Sequence, residues 1–131
     1  QQTLLERVRA AVYQLLRRPE VQRHRAFAEA VARELSLPYG QLSATFARLS
    51  AGSTLANFIT AQRLAYAREL LASSRLGVGH IARQLGYSSL AHFSGQFRRV
   101  AHCSPSAYRR QQEPASLAMA EPALNDASAG P

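Results

Sequence analysis

Apolar residues recur at helical spacing through most of the chain, and clusters of Gly, Pro and Ser cut that pattern into about seven segments. In residues 3–17, Leu4, Leu5, Val8, Val12, Leu15 and Leu16 share one stripe, with Glu6, Arg7, Arg9 and Gln14 outside it. This predicts an amphipathic helix ending at Arg17-Arg18-Pro19, where positive charge suits a helix C-terminus and proline stops it. Residues 20–25 are polar and read as loop. A second helix over 26–35 buries Phe27, Val31 and Leu35. The cluster Ser36-Leu37-Pro38-Tyr39-Gly40 turns the chain into a third helix, from about Tyr39 to Ala51. Its Leu42, Phe46 and Leu49 point inward, and Gly40, Gln41, Ala44, Ala47, Arg48 and Ala51 outward.

Gly52-Ser53-Thr54 ends that helix and caps the next, from Leu55 to about Ser73, in which good helix formers dominate. Leu55, Phe58, Ile59, Tyr66 and Leu70 lie on one side of it, and Leu64, Ala67 and Leu71 on another. A helix apolar on two sides is wedged between two packing partners. Arg63 and Glu69 are assigned to its solvated face. A short helix (Val78–Leu85) follows, then a turn at Gly86-Tyr87-Ser88 and a helix of about twelve residues, capped by Ser88 or Ser89. Leu90, Phe93, Phe97 and Val100 recur there at helical spacing and are expected to face inward. Ala91, His92, Gly95, Arg98 and Arg99 make an outer face that is small and basic. The last helix runs from Ser104-Pro105 to Gln112, with Ser104 as cap and Pro105 at the first helical position. Residues 113–131 are rich in Pro, Ala and Ser with no basic residue, and are expected to be disordered.

Two helices joined by a tight turn, the second with an outward polar face, form a helix-turn-helix, and the pattern occurs twice. Ala32-Arg33-Glu34-Leu35 matches Ala82-Arg83-Gln84-Leu85 at an offset of fifty, and Leu42 and Phe46 match Phe93 and Phe97 at fifty-one. An internal duplication of this kind makes the rest of the chain a frame for two copies of one unit. The expected organisation is all-α: residues 1–52 with the first unit, 53–74 as linker helix, 75–112 with the second unit, and 113–131 as tail. The nineteen residues of the linker helix, at ~1.5 Å each, make a strut of roughly 28 Å. That suits two reading helices about one DNA turn, ~34 Å, apart.

Charge sharpens this picture. The net charge is +8, all sixteen basic residues are arginine, and residues 1–112 contain only five of the eight acids, leaving +11 there. A domain that basic calls for an anionic partner, of which nucleic acid is the commonest. A single cysteine, Cys103, excludes an internal disulfide framework and is compatible with a reducing compartment. No apolar run is long enough to span a bilayer, and no signal-peptide pattern occurs. The first residue is Gln rather than Met, so the chain is read as processed or cut from something longer.

Ile81-Ala82, Gly86-Tyr87, Phe93, Phe97-Arg98, Ser104-Pro105 and Tyr108-Arg109, in that order and spacing, resemble the signature of the AraC/XylS family of bacterial transcription regulators. The first half resembles it more loosely, through Ala32, Leu42-Ser43, Phe46, Gly52, Phe58, Arg63, Ala67 and Leu70-Leu71, and the resemblance makes Arg63 an arginine that braces the fold, against its reading as solvated. The resemblance covers residues 1–112 and implies sequence-specific binding of double-stranded promoter DNA in the cytoplasm, nucleoid-associated when bound. Both recognition helices would enter successive major grooves on one face. It implies no cofactor and no metal. Any effector or dimerisation domain would lie outside this chain.

Carried onto this sequence, the resemblance gives Tyr39, Gly40, Gln41, Ser43, Ala44 and Arg48 as DNA-binding positions of the first unit. Ser89, Leu90, Ala91, His92, Ser94, Gly95, Arg98 and Arg99 are those of the second. The base-reading positions hold Gly40, Ala44, Leu90, Ala91 and Gly95, which lack the bidentate groups that read guanine or adenine. Gln41, Ser43, His92, Ser94 and Gln96 remain for hydrogen bonds, with Gln96 turned partly to the core. Arg48, Arg98 and Arg99 are the phosphate contacts expected, helped by the helix N-termini. Weak direct readout is therefore expected, with backbone contacts and DNA shape doing more. The chain departs from the family in having His102 where a glycine is common after the second recognition helix, and one extra residue between Phe46 and Gly52.

Other readings are weaker. Phe93, Phe97, Phe46 and Leu42 are core residues by their spacing, not platforms for stacked bases. Arg7, Arg9, Arg17 and Arg18 read as ordinary surface charge. His102-Cys103 with His80 fits no standard zinc spacing, and no nucleophile sits in a recognisable catalytic motif, so an enzyme is not expected. Two rivals use the same fold differently. One works mainly through protein contacts, with RNA polymerase as the partner, and is motivated by the alanine-rich outer faces. The other is a nonspecific architectural protein, marked by salt dependence without sequence preference.

Overall fold

The computed structural model describes residues 3–18 and 24–112. Among these residues it contains seven α-helices and no strand: α1 (Leu4–Leu16), α2 (His24–Glu34), α3 (Tyr39–Leu49), α4 (Leu55–Ser73), α5 (Val78–Gln84), α6 (Leu90–Ala101) and α7 (Pro105–Gln112). The all-α expectation holds. The expected tail (113–131) and residues 20–23 of the expected loop lie outside the described residues.

Local chemistry sets most helix starts. Thr3 and Glu6 form a reciprocal capping box on α1, each side chain accepting from the other's backbone N–H at 3.2 Å. Thr54 caps α4 by accepting from the Asn57 N–H at 3.0 Å, and Ser104 caps α7 by accepting from the Ala107 N–H at 3.0 Å. Of the two serines expected to cap α6, Ser89 does so, accepting from the His92 N–H at 3.1 Å. Two boundaries differ from expectation. α2 begins at His24, so residues 24 and 25 are helical rather than loop; its first turn is polar, and hydrophobic spacing is silent about such a turn. α3 stops at Leu49 rather than Ala51, because Ala51 (φ 57°) and Gly52 (φ 90°) are left-handed.

The duplication is also present in the turns. After α2, Ser36 is left-handed (φ 58°) and the Leu37 N–H donates back to the Ala32 carbonyl at 3.0 Å. After α5, Gly86 is left-handed (φ 92°) and the Tyr87 N–H donates to the Ala82 carbonyl at 3.0 Å. Both are Schellman closures, with the same bond made fifty residues apart. His102 ends α6 at φ 64°, the left-handed conformation that glycine would adopt without strain.

α4 is the common wall: it packs on α1, α2 and α3 and also on α5 and α7. Leu55, Ile59, Leu64, Ala67 and Leu71 are buried, as the two-stripe reading requires. Arg63 is not on a solvated face as expected; it is only 5% exposed. It falls in the i+4 series with Leu55, Ile59, Ala67 and Leu71, and its guanidinium lies 5.2 Å from the centroid of the Phe27 ring. Glu69 is exposed, as expected, and pairs with Arg17 at 2.7 Å. Arg17 also stacks 3.5 Å from the Tyr13 ring centroid and 4.3 Å from that of Tyr66, fastening α1 to α4. Arg109 closes the other end, donating to the carbonyls of Leu71 (3.1 Å) and Ser74 (3.3 Å) after α4 runs out of its own amides.

In the second unit, ring centroids follow one another from Tyr87 to Phe93 (5.2 Å), Phe97 (5.8 Å) and Tyr108 (5.6 Å). Tyr87 and Tyr108 thus flank the buried Phe93–Phe97 pair and occupy the places expected for Leu90 and Val100. Those two residues, expected inside, are 50% and 48% exposed. Leu49, also expected inside, is 47% exposed. It lies in the last turn of α3, beyond Phe46, whose ring meets Phe58 at 5.4 Å.

Candidate nucleic-acid interface

The second helices of the two units, α3 and α6, present matched faces. Gln41 and His92 are exposed, Leu42 and Phe93 buried, Ser43 and Ser94 half-buried, Ala44 and Gly95 exposed. This is one burial register repeated at an offset of fifty-one. Gly40 and Ala91, and Arg48 and Arg99, are exposed pairs in the same register, while Ser89, Leu90 and Arg98 are exposed on α6. Tyr39 is half-buried at the start of α3. The residues singled out from the sequence therefore fall on the outer sides of two helices that a single helix, α4, connects.

The chemistry of the two faces is uneven. Arg48 sits in the last turn of α3, and Arg98 and Arg99 in the last turn of α6. Among the described residues, none of the three makes an ion pair. By contrast, Arg17 pairs with Glu69 and Arg18 approaches Glu34 at 3.7 Å, so these two charges are directed at the protein itself. The Ser89 oxygen accepts the capping bond, which leaves its hydroxyl proton to donate outward. Pro38 gives α3 no side-chain cap. The amides of Gly40 and Gln41 in its first turn are thus available to an anion. A Cβ added at Gly40 or at Gly95 would meet no atom within 4 Å, so the protein itself does not require glycine at either place.

Gln96 is partly turned inward, as expected, and held there: the Tyr87 hydroxyl donates to its Oε1 at 2.7 Å. Burial raises the Tyr87 phenol above its ordinary pKa, an effect opposed by the Arg63 charge nearby. Burial likewise lowers the pKa of Arg63, with Tyr87 acting the other way. These two residues border a cleft of about 350 Å³ between the first turns of α4 and the start of α6. Sequence reasoning missed this cleft. The available signal was Arg63 itself, an arginine at helical spacing among residues that must be buried.

Two helix-turn-helix units in one register, with small and basic outer faces, are the layout of a DNA-binding domain of the kind found in transcription regulators. A family model described as a helix-turn-helix domain matches residues 31–111, and the chain belongs to this AraC-type helix-turn-helix family. The regulatory protein PocR of Salmonella typhimurium is 41% identical over 54 residues, a stretch covering 41% of this chain and 18% of that protein. The chain therefore matches only a small part of the length of such curated relatives. Among solved structures, the C-terminal domain of AraT, a response regulator from Geobacillus stearothermophilus, is similar with a TM-score of 0.65 and 27% identity. That likeness covers 87% of this chain and 92% of that one. The DNA-binding domain of the global transcriptional factor AdpA, solved in complex with a target DNA, is similar with a TM-score of 0.62 and 27% identity. It covers 85% of this chain and 93% of the other.

Proposed function

We propose that this domain binds double-stranded promoter DNA sequence-specifically, with α3 and α6 in two successive major grooves, and so regulates transcription without catalysing a reaction. The observation that carries the reading is the repeated burial register of α3 and α6, held by one helix of nineteen residues. Residues 1–52 and 75–112 are the two DNA-contacting units and 53–74 the strut between them. Gln41, Ser43, His92 and Ser94 donate or accept hydrogen bonds at base edges. Ala44, Leu90 and Ala91 meet thymine methyl groups, and Gly40 and Gly95 let the helix backbone approach the groove. Arg48, Arg98 and Arg99, with Tyr39 and Ser89, hold phosphates. The exposure of Leu90 supports this, since an apolar side chain half in solvent at the start of a recognition helix gains a partner in a thymine methyl. The domain acts in the cytoplasm on nucleoid DNA, as part of a regulator whose effector or dimerisation domain is supplied outside this chain, and RNA polymerase is its protein partner.

Selection of binding sites from random duplexes tests the reading. The expected product is an asymmetric site with two short blocks about one helical turn, ~34 Å, apart. Binding that depends on salt but enriches no sequence would make the chain a nonspecific basic module instead.

A further inference from the structure

The cleft beside Arg63 is lined from α4 and from the segment that leads into α6, and it shares His92 with the second reading face. Among its lining residues are Asn57 and Thr60 from α4, Ser88 and His92 at the start of α6, and Gln96 and Arg63. The lining contains no aspartate or glutamate. Tyr87 occupies the acceptor oxygen of Gln96, which leaves the Gln96 amide with its two N–H donors. An amide with donors to spare, two hydroxyls and an imidazole around one opening, with no carboxylate in the lining, make a pocket suited to an oxyanion.

Its position says which oxyanion. Residues 50–54 alone separate the end of α3 from the start of α4, so Asn57 and Thr60 follow closely on the first recognition helix. Ser88 lies just before the N-cap of the second, and His92 in its first turn. The cleft therefore lies between the start of α4, a few residues after the first recognition helix, and the start of the second. We propose that this cleft is a phosphate receptor, filled in the complex by a backbone phosphodiester between the two half-sites. The proposal rests on the DNA-binding reading above for the source of the phosphate, and on the cleft alone for the chemistry. Bound there, the phosphate fixes the spacing of the two helices along the duplex by a contact that carries no base information.

The test has two arms, each run on the full chain and on an Asn57→Ala/Thr60→Ala double variant. Asn57 is exposed and Thr60 half-buried, so the fold does not depend on them as it does on Arg63. In the first arm, each phosphodiester of a selected duplex is replaced in turn by a neutral methylphosphonate. One linkage between the blocks should weaken wild-type binding roughly 3–10-fold and leave the double variant unaffected. In the second arm, the free protein is titrated with sodium phosphate, and with sodium chloride at equal ionic strength, while backbone amide NMR signals are followed. Saturable shifts of Asn57, Thr60, Gly86 and Ser88 with phosphate alone, lost in the variant, would support the receptor. If they came without a linkage effect, they would assign it to free phosphate rather than DNA. A linkage effect without such shifts supports the site with DNA as the source. Equal losses for both proteins at every linkage, together with no phosphate-specific shift, would overturn the proposal. If selection yields no duplex, the DNA-binding reading fails, and the phosphate titration alone decides whether the cleft binds an oxyanion.

Discussion

Replacing Gly95 by alanine separates what the fold requires from what the groove requires. Gly95 lies inside α6, is exposed, and does not have the positive φ of Gly52 and Gly86. A Cβ there meets no protein atom within 4 Å. Glycine inside a helix is less stable than alanine by roughly 0.5–1 kcal/mol, because it loses more backbone freedom on folding. With about 4–8 °C of melting temperature per kcal/mol for a domain of this size, Gly95→Ala should melt about 2–8 °C higher. DNA binding should move the opposite way. If the α6 backbone approaches base edges at Gly95, an added methyl is an overpacked contact of about 1–3 kcal/mol. That corresponds to a roughly 5–150-fold weaker complex. Thermal unfolding followed by circular dichroism gives the first quantity, and fluorescence anisotropy on one labelled duplex gives the second. A higher melting temperature with unchanged affinity would refute the close approach at Gly95.

Arg98→Ala/Arg99→Ala should weaken binding to every sequence alike and reduce the slope of log K against log salt by about 1.8, at ~0.9 per phosphate. The wild-type advantage should then shrink about tenfold between 50 and 200 mM salt, measured by the same anisotropy titration. Ser36→Gly should stabilise the free domain by about 0.5–1 kcal/mol in denaturant unfolding, because Ser36 holds a left-handed conformation (φ 58°) that its counterpart Gly86 adopts without strain. Tyr87→Phe should cost about 0.5–1.5 kcal/mol near neutral pH through the lost bond to Gln96. The folded-state pKa of Tyr87 is raised above 10.0. The unfolded chain therefore loses that proton first, and wild-type stability falls as pH rises from 10.0 through the folded value. The difference between wild type and Tyr87→Phe should narrow over that alkaline range, and a constant difference would contradict the burial of the phenol.

Helix identity was legible because each segment carries its own period and its own punctuation. The linker helix was read from Leu55 to Ser73, as observed, since Thr54 and the long Ala/Leu-rich run mark it without tertiary help. Errors came where a neighbouring segment takes a place that periodicity had assigned. Leu90 and Val100 satisfy helical spacing with Phe93 and Phe97, yet Tyr87 and Tyr108 fill the two ends of that pair. Hydrophobic spacing cannot know this, because the competing rings come from a turn and from α7. Arg63 departs from the solvated reading for the converse reason: residue type suggests solvent, while its position in the i+4 series, like its match to a bracing arginine, requires burial. The matched faces of α3 and α6 were legible in outline. The bond that holds Gln96 and the cleft beside it depend on α4 meeting the second unit, a contact that no local pattern encodes.

The central claim is that α4 holds two reading helices at one fixed separation. Its most direct test is affinity for a selected duplex in which the distance between the two blocks is changed by 5 or by 10 base pairs. A rigid pair of readers predicts that either change lowers affinity to that of a duplex carrying a single block. Affinity that stays at the original value after a 5-base-pair insertion, which turns the second block to the far side of the DNA, would contradict it.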